Sequence, residues 1–218
     1  MFKIQKLDFL VSVYILCIAI SELMGGKTFR LPPIGPFHFN ASVAVFLIPF
    51  IYTINDVFVE VLGVERARSI VRSGILMVFF LMLYAVFAVS LPPSMRFLPN
   101  EKAYDTIFGV SARIAAASLT AFAFAEFLDV FIFAKMRKVL GKKNLWLRNN
   151  VSNIVSEFID TIVFITLAFY AFDKPFANNA TFLWSIILPY WFLKSVMSII
   201  ETPFVYLGVA WLKDEKQT

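Results

Sequence analysis

Eight carboxylates stand inside stretches of this sequence that are otherwise apolar: Glu22, Asp56, Glu60, Glu126, Asp129, Glu157, Asp160 and Glu201. An ionised carboxylate at the centre of a membrane helix costs about 2.5–3.5 kcal/mol on insertion scales, so such groups face one another, water, cations or a polar ligand. Helical spacing groups them further. Asn149, Asn153, Glu157, Asp160 and Phe164 recur at i, i+4, i+8, i+11 and i+15, a mainly polar stripe on one face. Tyr52, Asp56 and Glu60 share a face with Asn55 beside it, and Tyr190, Lys194, Ser198 and Glu201 share another. Lys194 lies deep in its stretch and needs a carboxylate partner. Carboxylates with Asn, Ser and Thr make an acceptor-rich site, and Tyr, Trp and Phe can cover a flat ring. That chemistry suits a polar heterocycle bearing N–H donors, a cation, or protons. The competing reading makes each acid a helix–helix hydrogen bond or a snorkelling terminus. It weighs most for Glu22 and Glu60 and least for Asp56, Asp129 and Asp160.

The elements that must hold these groups follow from composition. Of the 218 residues, 60% are hydrophobic and only 16% charged, against roughly a quarter charged in an ordinary soluble domain. The apolar runs are near 20 residues long, about what crosses a ~30 Å hydrocarbon core as a helix, and they lack the alternation of barrel strands. The expectation is an all-α integral membrane protein forming one transmembrane domain over residues 1–218. Six spans are drawn at about 8–24, 41–62, 70–90, 109–134, 151–172 and 181–212. Pro189 and Pro203 predict a kink or break in the last. Lys3 and Lys6 ahead of the first span resemble a signal peptide, and the expectation is an uncleaved span.

Thirteen Lys and Arg residues flank one set of span ends and five flank the other, which puts both termini in the cytoplasm. Arg66, Arg68, Arg72 and the basic cluster from Lys135 to Lys143 are topology signals on this reading. The net charge of +5 has the same origin, and nucleic acid is not an expected partner. At ~1.5 Å per residue, seven of the eight acids lie roughly 3–16 Å from the cytoplasmic ends of four helices, as a shared polar cavity requires. Glu22 lies near the outer end of the first span.

Several chemistries are disfavoured. Cys17 is the one cysteine and His38 the one histidine, so no internal disulfide, thiolate cluster or histidine metal site is expected, and no cofactor. The Gly-x-Gly-Asp loop of intramembrane aspartyl proteases is absent, and an enzyme is not expected. Gly25-Gly26-Lys27-Thr28 ends like a phosphate-binding loop but lacks the first glycine and a preceding strand. Asn-x-Ser/Thr triplets at Asn40, Asn150 and Asn179 are chance-level signals. The longest connections, 25–40 and 91–108, read as outer loops, the first with aromatics suited to headgroup level or a re-entrant segment. Glu126-Phe127-Leu128-Asp129 and Glu157-Phe158-Ile159-Asp160, each followed four residues later by Phe, form one internal echo.

Two segments carry a resemblance. Pro49-Phe50-Ile51-Tyr52-Thr53-Ile54-Asn55-Asp56-Val57-Phe58-Val59-Glu60-Val61-Leu62-Gly63 precedes Ala67-Arg68. Leu145-Trp146-Leu147-Arg148-Asn149-Asn150-Val151-Ser152 precedes Ser156-Glu157-Phe158-Ile159-Asp160-Thr161-Ile162-Val163-Phe164. Together with the stretch around Asp129 they resemble the queuosine precursor transporter family, also called the vitamin uptake transporter family. The resemblance implies uptake of a 7-deazaguanine across the bacterial inner membrane, whether the 7-cyano or 7-aminomethyl base or queuine. Its motifs map onto Asn55, Asp56, Glu60, Arg148, Ser152, Glu157, Asp160 and Thr161. The chain departs from the pattern at Leu62, where an aromatic usually precedes the glycine, and at Glu126 and Glu157, where glutamine is common.

The expected substrate-binding set is Asn55, Asp56, Glu126, Asp129, Arg148, Asn153, Glu157, Asp160, Lys194 and Glu201. A carboxylate can accept the N1–H and exocyclic amine of a guanine-type edge as a bidentate pair, and Glu157, Asp160 or Glu126 is the expected acceptor. Arg148 and Lys194 are the expected counter-charges, with aromatic rings over the base. Lacking an ATPase motif, the chain reads as a facilitated or proton-coupled carrier. The alternative is the substrate-binding membrane subunit of an ATPase-energised importer. The expected partners are the deazapurine and the lipid bilayer, with a homodimer, or an ATPase module in the alternative, also compatible.

Overall fold

The computed structural model describes residues 4–33, 35–36, 38–140, 145–200 and 202–214, with the backbone alone described at 126–127, 129–131, 133–134, 136–140, 145–153, 197–199 and 202. Seven α-helices carry the described chain: α1 (Lys6–Met24), α2 (Ile48–Leu62), α3 (Val64–Ser90), α4 (Glu101–Leu140), α5 (Leu145–Phe169), α6 (Phe176–Ile200) and α7 (Thr202–Lys213). A two-stranded antiparallel ribbon, β1 (Thr28–Arg30) and β2 (Asn40–Ser42), lies between α1 and α2. Among the described residues three stretches are long and apolar enough to cross a membrane: Lys6–Met24, Val64–Ser90 and Leu98–Ala125. The chain is an all-helical membrane protein with a small ribbon at one end.

The expected spans need correction in two places. The stretch drawn as 41–62 is helical only from Ile48, because Ala41 and Ser42 pair in the ribbon and Val43–Phe46 form a 3₁₀ turn. The remaining 15 residues of α2 reach about 22 Å, short of the ~30 Å core. The connection drawn as 91–108 is shorter, since α4 already begins at Glu101 and runs 40 residues. The last stretch is described as α6 to Ile200 and α7 from Thr202, residue 201 lying outside the described residues, with Pro203 near the start of α7. Pro189, by contrast, sits inside α6 without ending it.

Small residues set how closely the helices approach. A Cβ on Gly208 of α7 would stand 2.7 Å from Val57 Cγ2 of α2, and one on Gly74 of α3 would stand 3.1 Å from Ile18 Cδ1 of α1. Ala112, Ala115, Ala117 and Ala121 give α4 its buried face. Where α1, α2 and α3 meet, Tyr14 packs edge-on against Phe58 at 5.6 Å, beside Ile54, Ala67 and Ile70. A second core joins α5 to α6 through Ile165, Leu183, Ile186, Ile187 and Tyr190. No loop separates α2 from α3: the chain turns at Gly63 alone, whose φ of 81° and ψ of 163° favour glycine.

Polar contacts fix the end that carries the ribbon. Ser42 donates to the Gly25 carbonyl at 2.6 Å and Asn40 donates to Ser185 at 2.7 Å, so the ribbon is tied to both α1 and α6. Ser111 donates to the Leu23 carbonyl at 2.8 Å. Arg113 donates through Nε to the Leu167 carbonyl at 2.7 Å and through Nη2 to the Tyr170 carbonyl at 2.6 Å. A cation thereby answers carbonyls that the end of α5 leaves unpaired. Asn179 closes the next corner, accepting from the Ala171 amide and donating to the Ala171 carbonyl.

Candidate functional site

The polar residues of α5 and α6 converge because helical spacing puts them on facing sides. Asp160 of α5 and Lys194 of α6 form an ion pair, with Nζ 2.8 Å from Oδ2. Their side chains are 24% and 12% exposed, so neither ion escapes to the outside. The Tyr52 hydroxyl of α2 lies beside the Lys194 ammonium, and the Glu157 carboxylate, three residues before Asp160, also faces that charge. One cation thus serves two carboxylates and a phenol.

This cluster borders a cavity of about 290 Å³ lined by α1, α2, α4, α5, α6 and the ribbon. Polar lining comes from Glu22, Ser42, Tyr52, Ser118, Asp160 and Lys194. Phe122, Phe164 and Tyr190 supply rings. A second cavity of about 340 Å³ lies between α1, α2, α3 and α4, with Asn55 and Tyr14 in its wall. The two share Ser21, Glu22, Ile51, Tyr52, Ser118 and Phe122, so Glu22 and Tyr52 stand at their common boundary.

Glu22 is the buried acid of α1, 6% exposed, with Ser118 of α4 beside its carboxylate. Among the described residues its Oε2 has no hydrogen-bond partner, and neither has Asn55 Oδ1. Tyr190, one turn from Lys194 on α6, is likewise buried and lies beside Ser42.

Of the ten expected site residues, the structure brings Asp160, Lys194 and Glu157 together and puts Asn55 in the second cavity. Asp56 is exposed on α2 and lines neither cavity, as is true of Glu60. Glu126, Asp129, Arg148 and Asn153 fall on α4 and α5 among residues whose side chains lie outside the description, and Glu201 lies outside the described residues. Thr161 is buried and donates to the Glu157 carbonyl at 2.8 Å, so its hydroxyl is spent within α5.

Glu22, Tyr52, Ser118 and Tyr190 line the cavities without being among the ten expected site residues. The spacing Tyr190–Lys194 and the face shared by Tyr52 and Asp56 were usable signals for two of them. Glu22 stands two residues from the end of α1, where an acid normally reaches water. The ribbon and α4 instead close over it, a tertiary effect that local spacing does not carry.

Over residues 42–208 the sequence matches the family described as "Putative vitamin uptake transporter". The chain belongs to that family. The match takes in the described cavity residues of α2, α4, α5 and α6, whereas Ser21 and Glu22 of α1 precede it. Among curated relatives, the chain is 27% identical over 84% of its length to a Bacillus subtilis (strain 168) protein, covering 77% of that protein, named "Probable queuosine precursor transporter". It is 26% identical over 77% of its length to an Escherichia coli (strain K12) protein, covering 72% of it, named "Queuosine precursor transporter". A Haemophilus influenzae (strain ATCC 51907 / DSM 11121 / KW20 / Rd) protein, also named "Probable queuosine precursor transporter", is 28% identical over 68% of the chain and 62% of its own length. No solved structure matches the chain.

Proposed function

We propose that this chain is a multi-pass importer of a queuosine precursor, a 7-deazaguanine base, in the bacterial inner membrane. The observation that carries the reading is the Asp160–Lys194–Tyr52 cluster on a cavity inside an all-helical membrane protein of a transporter family. Names borne by three relatives support the substrate class.

Chemically, the cluster suits a heterocycle with both donors and acceptors. Lys194 and Tyr52 supply donors toward a ring carbonyl or nitrogen, and carboxylates supply acceptors toward N–H groups. Phe122, Phe164 and Tyr190 offer rings that can cover a flat base. Cavities of about 290 and 340 Å³ sit at the lower end of the roughly 300–1,000 Å³ typical of small-molecule sites.

In this reading the chain passes the bilayer six times, with α6 and α7 together making the sixth pass and both termini in the cytoplasm. Transport is facilitated or proton-coupled, and no catalytic step is assigned. The expected binding residues outside the described side chains, Glu126, Asp129, Arg148, Asn153 and Glu201, stay part of the proposed site.

The deciding experiment measures queuosine in tRNA in a bacterial strain that cannot make the precursor, with and without this protein. Restoration by an external 7-deazaguanine is the expected result. No restoration by the cyano base, the aminomethyl base or queuine would sink the substrate assignment.

A further inference from the structure

Most described carboxylates near the cavities are already committed. Asp160 is held by Lys194 at 2.8 Å, and Glu157 faces the same ammonium. Asp56 and Glu60 are exposed on α2 and line neither cavity. Glu22 differs from all of these. It is 6% exposed, lines both cavities and, among the described residues, forms no salt bridge and keeps Oε2 without a hydrogen-bond partner.

The groups around it come from five elements. Ser118 of α4 stands beside the carboxylate, Tyr52 of α2 shares its cavity boundary, and Tyr190 of α6 lies across the first cavity. Ser21 of α1 is no donor to it, because its hydroxyl already donates to the Ile18 carbonyl at 2.7 Å. Ser42 of the ribbon likewise donates to the Gly25 carbonyl. A buried carboxylate oxygen without a donor is among the costlier arrangements in a membrane protein. A ligand carrying adjacent N–H donors would remove that cost. In the neighbouring wall Asn55 Oδ1 is a second buried acceptor without a partner.

We propose that Glu22 reads the donor edge of the base, its carboxylate accepting the ring N–H and the exocyclic amine of a guanine-type heterocycle. Lys194 and Asp160 then meet the remainder of the ligand, and Phe122 at the shared boundary is placed to cover the ring. This assigns the specificity of the cavity to α1, ahead of the family-matched stretch, and it moves the acceptor role away from Glu157, Asp160 and Glu126. The assignment rests on the deazaguanine reading above.

The test is equilibrium binding to the purified full-length protein in lipid nanodiscs. The probes are 7-cyano-7-deazaguanine and the same heterocycle without its 2-amino group. The wild type is expected to prefer the amino compound about tenfold or more, the range of one hydrogen bond to a charged acceptor. Glu22→Gln, which trades one acceptor for a donor, should bind the amino compound at least about tenfold more weakly and lose most of the preference. Glu22→Asp keeps the carboxylate and should retain the preference even where affinity falls, which covers the case of a poorly folded Gln variant.

Several results overturn the assignment. One is a Gln variant that keeps both affinity and preference. Another is equal weakening toward the two probes, which marks a structural role. A third is normal binding with loss of uptake driven by a pH gradient, which makes Glu22 a proton carrier instead. Failure of the well-folded wild type to bind any 7-deazaguanine is a distinct outcome. It overturns the substrate reading and this assignment with it.

Discussion

Asp160 and Lys194, 34 positions apart in the chain, meet at 2.8 Å and tie α5 to α6 through a pair of charges largely hidden from solvent. Removing one partner of such a pair leaves the other ion uncompensated, a loss of about 3–5 kcal/mol. Asp160→Asn and Lys194→Met should therefore each lower the melting temperature in detergent and each reduce uptake. The double variant Asp160→Leu/Lys194→Met should regain part of the stability, Glu157 then lacking its cation, and none of the transport. Recovery of transport in the double variant would make the pair a structural brace and nothing more.

Glu157 shares the Lys194 charge without being its direct salt-bridge partner. Glu157→Gln should reduce uptake while leaving membrane insertion intact, since Asp160 still neutralises the lysine. Wild-type uptake by both Glu157→Gln and Asp160→Asn would show that the cavity has been placed wrongly.

At the contact of α7 with α2, a Cβ on Gly208 would come within 2.7 Å of Val57 Cγ2. Gly208→Ala should destabilise the protein by about 1–3 kcal/mol, the usual penalty for overpacking. Adding Val57→Ala should return much of that stability, because the clash is with its side chain alone. Thermal unfolding of the four proteins of the cycle measures the coupling.

Arg113 bonds the carbonyls of Leu167 and Tyr170 and lies 5.6 Å from the Phe172 ring centre. Arg113→Ala frees both carbonyls at the end of α5. Faster hydrogen exchange at amides 167–172 is expected, with little change in the α1–α2–α3 core. Unchanged exchange in that segment would remove the staple from the account.

Topology has its own check. Cys17 is buried, so an impermeant maleimide should leave the native protein unlabelled in intact cells. A cysteine introduced at His38 should label from outside, and one at Lys216 only after the membrane is opened. Labelling of both from the same side would break the six-pass assignment.

Much of the helical plan was legible in apolar run length, which depends on local composition. The start of α2 was not legible. Ala41 and Ser42 are compatible with a helix by composition, and only their pairing with Thr28 and Phe29 makes them a strand. In the site, the need of Lys194 for a carboxylate could be read from burial cost, but its choice of Asp160 could not, because helix rotation decides it. Asp56 is the converse case: its spacing did not tell that its helix turns that face outward.

The length of α4 has a practical consequence. Forty residues make a rod of about 60 Å, twice a ~30 Å hydrocarbon core, so even strongly tilted it stands clear of the bilayer. A 24.8 kDa membrane protein offers little mass for aligning single-particle images. An unbroken helix that leaves the detergent belt is a stiff mast, and a fiducial domain fused in register with its Leu140 end, beyond the apolar stretch Leu98–Ala125, would turn with the protein and not swivel on a loop.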